Sequence, residues 1–424
     1  MNIICIIALA ILISIELIVK SKIYSPAFLM SITFFVLFVL QSFRFYGLYS
    51  TSGNSYFICF LGVCAFCLGC MLKRAFKPRL EILEINRTES ITNQINNNRK
   101  ILLILLFVAL LIIVAYSWQS LGFLRSGGSL YDMRYGQQEA LHSNGLISFL
   151  YTYIGVPIVY FSLPISIYDY FILGNKKYLL LTFLTVFFWF IGNGARLPLV
   201  YCILSIVCAL LIFYSELKTQ GKIRKIMIAV VLFFLIVNLL SIARKSGKNI
   251  ASDNTTFIQG LYYYLGGSMI NLDTKLAFVA AKDSLFGVMT LYGLFLPISN
   301  IFNADIFEKA SYFPDIVQNN VIQISSQTSQ PYNFGTTGFL YLFADGKIFG
   351  VIIISLLLGL ISQFIYEKFV TSMNLKYFVL YSLVMEAIFM FSLTDLLSTI
   401  SFTFSILYTL IFFESFRLKV GKLR

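Results

Sequence analysis

The sequence predicts an all-α, polytopic integral membrane protein: about eleven transmembrane helices in a single membrane domain, with one large extracytoplasmic loop. Composition is the first reason. The 424 residues are 58% hydrophobic and 12% charged, with a mean hydropathy of +0.84. A soluble domain carries roughly twice that charged share. Pattern is the second reason. Apolar residues stand in unbroken blocks, such as ILLILLFVALLIIVAY from Ile101 to Tyr116. A segment apolar on every face belongs in lipid or in a fully buried core, and one core cannot hold so many. β-Barrel strands would instead alternate apolar and polar residues. The third reason is that basic residues gather in alternate gaps between the blocks.

Taken in order, the blocks place spans at 2–19, 26–43, 55–72, 101–118, 146–168, 178–192, 198–215, 226–242, 348–366, 377–393 and 398–414. Each has a length that can cover a hydrocarbon core of roughly 30 Å, the shorter ones with help from flanking residues. The first does not read as a cleavable signal peptide: it has no basic leading segment, carries Glu16 and shows no A-x-A site before Lys20. Residues 73–100 are polar and Asn-rich and read as a solvated linker. On the opposite side lie a smaller loop at 119–145 and a larger one at 243–347. Within the larger loop, Leu285 to Phe302 is apolar enough to span. Spanning there would flip every later loop, so this stretch, with Gly287, Gly293 and Pro297, reads as an interfacial or re-entrant helix.

Orientation follows from charge. The gaps at 20–22, 73–100, 176–177, 218–225 and 368–376, with the tail from Arg417, hold most of the 32 Lys and Arg residues. The positive-inside rule places them in the cytoplasm, with the amino terminus outside and the carboxyl terminus inside. The net charge of +13 is then a consequence of topology and of anionic lipid headgroups. Membrane lipids are expected partners, and nucleic acid is not.

Several chemistries lack their motifs. There is no GxxxxGK[ST] phosphate loop and no GxGxxG turn. The single histidine, His142, excludes HExxH and any multi-histidine metal site. No cofactor and no metal are expected. Cys59, Cys64, Cys67 and Cys70 fall in one apolar run and read as small residues packing a helix, in preference to a thiolate metal site. All 7 cysteines lie inside apolar runs, so no disulfide framework is implied. The embedded acids are Glu16, Asp169, Glu386 and Asp395. A proton-coupled transporter would place one at mid-bilayer with a partner; Glu386 is the best candidate, and structural pairing is an equal alternative.

The informative residues fall in the outer loops and at outer helix ends. Arg196 follows the tight hairpin GNGAR; Arg244 and Lys245 sit just past a span on the same side; Arg125 and Arg134 lie in the smaller loop. Basic groups are disfavoured there, so each needs a reason. Snorkelling toward headgroups accounts for Lys245 and Lys248. A short glycine hairpin leaves Arg196 little freedom to serve only as an anchor. Guanidinium groups converging at an outer interface suit a phosphate or diphosphate carried by a lipid, which they bind bidentately. The larger loop adds aromatic rings, among them Tyr262, Tyr263, Tyr264, Tyr292, Tyr312 and Tyr332, and the polar stretch QNNVIQISSQTSQPYN from Gln318 to Asn333. Sugars stack on such rings while their hydroxyls seek such side chains. An ordinary polar loop under an aromatic belt has the same composition.

These residues resemble a known family, the O-antigen and capsule repeat-unit polymerases of the Wzy type. Three features carry the resemblance. One is the architecture, with a long outer loop before the last three helices. Another is NFGTTGFLYLFADGKIFGVIIISLLLG, from Asn333 to Gly359, which looks like the family's return into the membrane, with Asp345, Gly346 and Gly350 at the Asp-Gly…Gly positions. The last is GNGARLP, from Gly192 to Pro198, similar to the family's Gly-and-Arg hairpin. Some members carry Arg-x10-Gly in two outer loops. Arg125 to Gly136 and Arg134 to Gly145 fit that spacing, whereas Arg244 meets Thr255 at the glycine position.

The resemblance implies a membrane glycosyltransferase at the outer face of the bacterial cytoplasmic (inner) membrane. Its substrate would be an undecaprenyl-diphosphate-linked oligosaccharide, and a chain-length regulator and a flippase would be its further partners. A hydroxyl of one repeat unit attacks the anomeric carbon on another carrier and the diphosphate leaves, so no nucleotide is needed. Arg196 and Arg244 would then stabilise the diphosphate. Arg125 and Arg134, with Tyr332 and Asn333, would bind the second carrier or the sugars. An outer carboxylate would take the proton; Asp345, Asp253 and Asp132 lead the candidates, with Glu139, Asp273 and His142 behind them. Asp345 capping the return segment is an equal alternative. Two rival functions are a ligase and a transporter or flippase of lipid-linked sugars. Ligases usually depend on a histidine in the large loop, and this chain has none there. Transporters tend to show repeated halves, whereas one loop dominates here.

Overall fold

In the computed structural model, residues 2–19, 21–75, 87–125, 145–193, 197–219, 257–302, 335–372 and 374–420 are described, together with positions 221, 223, 224, 228, 313, 317, 322–327 and 332. The principal helices among them are α1 (Asn2–Ile18), α2 (Pro26–Phe43), α3 (Gly53–Ala75), α4 (Arg87–Arg125), α5 (Gly145–Phe171), α6 (Lys176–Asn193) and α7 (Leu197–Ile212). They continue with α8 (Phe257–Ala280), α9 (Tyr292–Phe302), α10 (Phe339–Ser372), α11 (Leu375–Met390) and α12 (Ile400–Val420). Only isolated β-bridges accompany them among the described residues. Five helices, α2 to α5 and α10, contain segments long and apolar enough to cross a membrane. The shorter helix α1 has an apolar exposed face too: Ile3, Ile7, Ile11 and Ile18 are exposed while Cys5, Leu9 and Glu16 are buried. Such faces suit lipid as the solvent. The expected span at 226–242 lies outside the described residues except for position 228.

Two helices depart from the expected limits. The first turns of α4 occupy the stretch at 87–100 that reads as a solvated linker. The reason is a stripe the polar composition obscures: Ile91, Ile95, Leu102, Leu106 and Ile113 are all buried, at spacings that keep one helical face inward. The stretch 243–347, read from sequence as a loop, contains the 24-residue helix α8 among its described residues. The apolar stretch from Leu285 ends in α9, a helix of 11 residues. At 1.5 Å per residue it rises roughly 16 Å, too little to cross a hydrocarbon core.

The chain divides into two compact units. Unit 1 comprises 1–82, 252–371 and 387–400. There α2 packs against α1, α3 and α8. Helices α3 and α10 approach backbone to backbone: a Cβ on Gly69 would stand 2.2 Å from the Leu356 carbonyl oxygen, and one on Gly359 would stand 2.1 Å from that of Phe66. Small residues at such a crossing are the usual device of helices packed in lipid. The Cys70 thiol also lies 3.3 Å from the Gly359 carbonyl oxygen, so this cysteine belongs to the same packing seam.

Unit 2 comprises 83–251, 372–386 and 401–424. Its core is α4, α6 and α7 around α5. Helix α5 contains a π-turn at Tyr151–Gly155, and Pro157 lacks the N–H that would meet the Tyr153 carbonyl. The Tyr408 hydroxyl on α12 donates to that carbonyl at 2.6 Å, and the Ser401 hydroxyl donates to the Thr152 carbonyl at 2.9 Å.

Candidate functional site

The embedded acids sort into two kinds. Glu16 accepts two hydrogen bonds from Arg74 in unit 1, at 3.0 and 3.1 Å. Asp169 pairs with Arg99 in unit 2 at 2.6 Å. Each pair joins two helices, α1 with α3 and α4 with α5. Asp395 and Glu386 have no basic partner among the described residues, although they are 1% and 0% exposed. A buried acid without a counter-ion is costly, which marks these two for function.

Asp395 belongs to a polar cluster in unit 1. It stands on the turn between α11 and α12, where its Oδ1 accepts the Leu397 N–H at 3.0 Å and caps a 3₁₀ turn. Its Oδ2 has no hydrogen-bond partner among the described residues. Burial, reinforced by the charge of nearby Asp345, pushes the Asp395 carboxyl up to about 8. Next to it, the Thr394 hydroxyl lies 3.3 Å from the Tyr341 hydroxyl on α10. The segment leading into α10 is laid against this turn. Gly338 donates its N–H to the Phe391 carbonyl at 2.7 Å, and Asn271 on α8 donates its side-chain amide to the Gly335 carbonyl at 2.7 Å.

The Asp-Gly-Lys of α10 forms a two-sided clamp. The Asp345 carboxylate accepts the Met289 and Thr290 N–H groups, each at 2.8 Å, and the Thr290 hydroxyl at 2.6 Å. Lys347, held at a φ of 55°, donates its ammonium to the carbonyls of Val279 in the last turn of α8 and Lys282 just beyond it. A cation there complements the negative end of the helix dipole. Gly350 completes the pattern, since a Cβ would stand 2.4 Å from the Leu342 carbonyl oxygen. The Asp-Gly…Gly spacing therefore builds a kink that fixes the return segment.

Other sequence candidates are placed as follows. Tyr332, read from sequence as a sugar-stacking ring, is a core residue, 8% exposed, packed with Leu48, Tyr262, Tyr263, Ile270 and Ile324. Its hydroxyl donates to the Tyr264 carbonyl at 3.1 Å. The residue is thus largely covered by its neighbours. Asp273 caps α3, accepting the Ser52 N–H at 3.0 Å and the Ser55 hydroxyl at 2.6 Å. Arg125 is the last residue of α4. Arg196, Arg244, Arg134, Asp132, Asp253, Asn333, Glu139 and His142 lie outside the described residues.

Two residues of unit 1 were not singled out as reacting groups from sequence. Asp395 was read from sequence only as one of four embedded acids, with Glu386 preferred; burial without a basic partner among the described residues is what distinguishes it. Lys275 on α8 is 1% exposed, and its ammonium donates to the Val317 carbonyl at 2.9 Å. Burial alone pushes it down to about 8.

No protein-family model matches the chain, and no curated protein or solved structure is significantly similar to it.

Proposed function

We propose that the protein is a membrane glycosyltransferase that joins undecaprenyl-diphosphate-linked oligosaccharide repeat units into O-antigen or capsular polysaccharide. It would work at the outer face of the bacterial cytoplasmic membrane, within a bundle of about eleven spans, with the amino terminus outside. One observation carries this reading. The unpaired acid of unit 1, Asp395, stands at a helix-connecting turn beside the Tyr341 and Thr394 hydroxyls, and the segment preceding α10 is folded against that turn. A lipid-diphosphate presents its sugar at the interface, where such turns lie.

In this reading Asp395 accepts the proton of the attacking hydroxyl. The new bond forms between that oxygen and the anomeric carbon. The bond from the anomeric carbon to the diphosphate oxygen breaks, and the diphosphate leaves with the electron pair. A carboxyl titrating near 8 is well matched to proton transfer near neutral pH. Diphosphate binding by Arg196, Arg244, Arg125 and Arg134 is what the family resemblance of the sequence implies. Asp345 would hold the return segment in place.

The test is the length of surface polysaccharide in cells lacking the gene and complemented by wild type, Arg196→Ala or Asp395→Asn. Single repeat units in the deletion, with long chains restored by wild type alone, support the reading. Long chains retained on the lipid carrier indicate a ligase. Repeat units trapped inside the cell indicate a flippase. Either of these last two outcomes overturns it.

A further inference from the structure

The residues of α10 before its kink, Phe339 to Asp345, are all buried. Past Gly346 and Lys347 the helix comes to the surface. There Phe349, Ile353, Leu357, Ile361 and Phe364 are exposed, whereas Val351, Ser355 and Gly359 are buried. Spacings of three and four residues put the exposed set on one helical face. The Lys73 and Lys368 ammonium groups lie 5.4 and 5.8 Å from the centre of the Phe364 ring. Charge at that ring marks one end of the apolar stripe, where long basic side chains reach for headgroups. From Phe349 to Phe364 the helix rises roughly 22 Å. A hydrocarbon core is about 30 Å thick, so the stripe alone falls short of it.

The turn that follows α8 lies at the other end. Leu285 donates its N–H to the Ala344 carbonyl at 3.1 Å, and Phe286 donates to the Asp345 carbonyl at 2.8 Å. Phe286 is thus bonded to the residue about one helical turn before Phe349. Adding that turn lengthens the apolar face to roughly 28 Å, close to the hydrocarbon thickness. The Phe286 side chain is 90% exposed. Its φ is 51°, a left-handed conformation that is strained for an aromatic residue. A ring so bare gains little from protein packing in return for that strain. Just before it, Ala281, Lys282 and Asp283 are exposed, and the Lys347 ammonium is turned onto the Lys282 carbonyl. Charged groups therefore accompany this end of the stripe as they do the end at Phe364.

We propose that the turn from Leu285 to Met289 is a membrane-inserted wedge, with the Phe286 ring among the acyl chains just beneath the headgroups at the kinked end of α10. Its partner is the bilayer itself, because Phe286 continues the apolar face that α10 already presents to lipid. The wedge rests on the membrane assignment alone and is independent of glycosyl transfer. It also fixes the depth of the kink. The Phe286 N–H bonds to the Asp345 carbonyl, and the Met289 and Thr290 N–H groups bond to the Asp345 carboxylate. The ring and the kink therefore take their positions together. Without the ring, the apolar face of α10 is too short for an ordinary bilayer.

The test is tryptophan fluorescence of the full-length protein in phosphatidylcholine vesicles, with and without bromine on the acyl carbons nearest the headgroup. Wild type, with its 2 tryptophans, supplies the background. The emission added by Phe286→Trp should be quenched by the brominated lipid and shielded from aqueous iodide. Ala281→Trp, in the exposed stretch before the turn, should show the reverse. Photolabelling by a lipid with a diazirine on its acyl chain reads the same contact in the unsubstituted protein. Mass spectrometry should then find label on Phe286 as well as on the exposed face of α10. Emission from Phe286→Trp that iodide quenches as strongly as that from Ala281→Trp would overturn the proposal. So would label on Phe349 and Ile353 with none on the turn from Leu285 to Met289.

Discussion

The Asp345 carboxylate accepts both the backbone N–H and the hydroxyl of Thr290, at 2.8 and 2.6 Å. Through this contact the turn at Met289 and Thr290 is fixed to the kink of α10. Asp345→Ala leaves the Met289 and Thr290 N–H groups without their acceptor inside a buried turn. The expected cost is about 1–3 kcal/mol per orphaned donor. Thr290→Val removes only the hydroxyl contact and should cost less. Thermal unfolding of the purified protein in detergent measures both, with Asp345→Ala melting lower than Thr290→Val.

The Tyr408 hydroxyl substitutes for the N–H that Pro157 lacks, donating to the Tyr153 carbonyl. Tyr408→Phe removes this donor with almost no change in volume and should destabilise by about 1–3 kcal/mol. Combining Tyr408→Phe with Pro157→Ala restores a backbone donor within α5, so the double variant should lose less stability than the sum of the two single changes. A thermal-unfolding double-mutant cycle checks this.

Gly69 and Gly359 permit the backbone contact between α3 and α10. Their obstructing atoms are main-chain oxygens, which move only with the helices. Gly359→Leu should therefore cost at least the ~1–3 kcal/mol of ordinary overpacking. A cysteine crosslink between α3 and α10, formed in wild type and lost in Gly359→Leu, would report the separation directly.

Two buried groups outside the spans set opposite pH dependences in unit 1. Asp395 is raised from 3.8 to about 8 in the fold. The folded state therefore binds the extra proton between those values, and the stability this group contributes is full below 3.8 and is lost as pH rises toward 8. Lys275 is lowered from 10.5 to about 8. Its contribution is full above 10.5 and is lost as pH falls toward 8. Melting temperature against pH should lose its acid-side fall in Asp395→Asn and its alkaline-side rise in Lys275→Met. An Asp395→Asn profile identical to wild type would contradict the assignment.

Sequence and structure agree best where a single physical signal decides. Pro26 to Phe43 is helical over the full expected run because nothing charged interrupts it before Arg44. The first turns of α4 were harder to read, since TESITNQINNNRK is polar on most faces and only Ile91 and Ile95 announce the buried stripe. The Asp-Gly…Gly segment was legible as a motif, yet its role in fixing the kink emerges only from partners at 279–290, far away in sequence. Tyr332 shows the opposite limit: aromatic composition in a loop does not say whether a ring faces sugar or packs on Leu48 and Ile324. Asp395 and Glu386 differ from Glu16 and Asp169 only in lacking an arginine nearby, a three-dimensional property that spacing along the chain does not encode.

The central claim is tested most directly by incubating the purified protein, in vesicles, with lipid-linked repeat units extracted from cells lacking it, and resolving the products by size. The account predicts a ladder of longer lipid-linked oligosaccharides, formed without nucleotide and lost in Arg196→Ala. Repeat units that stay single with the wild-type protein would contradict it.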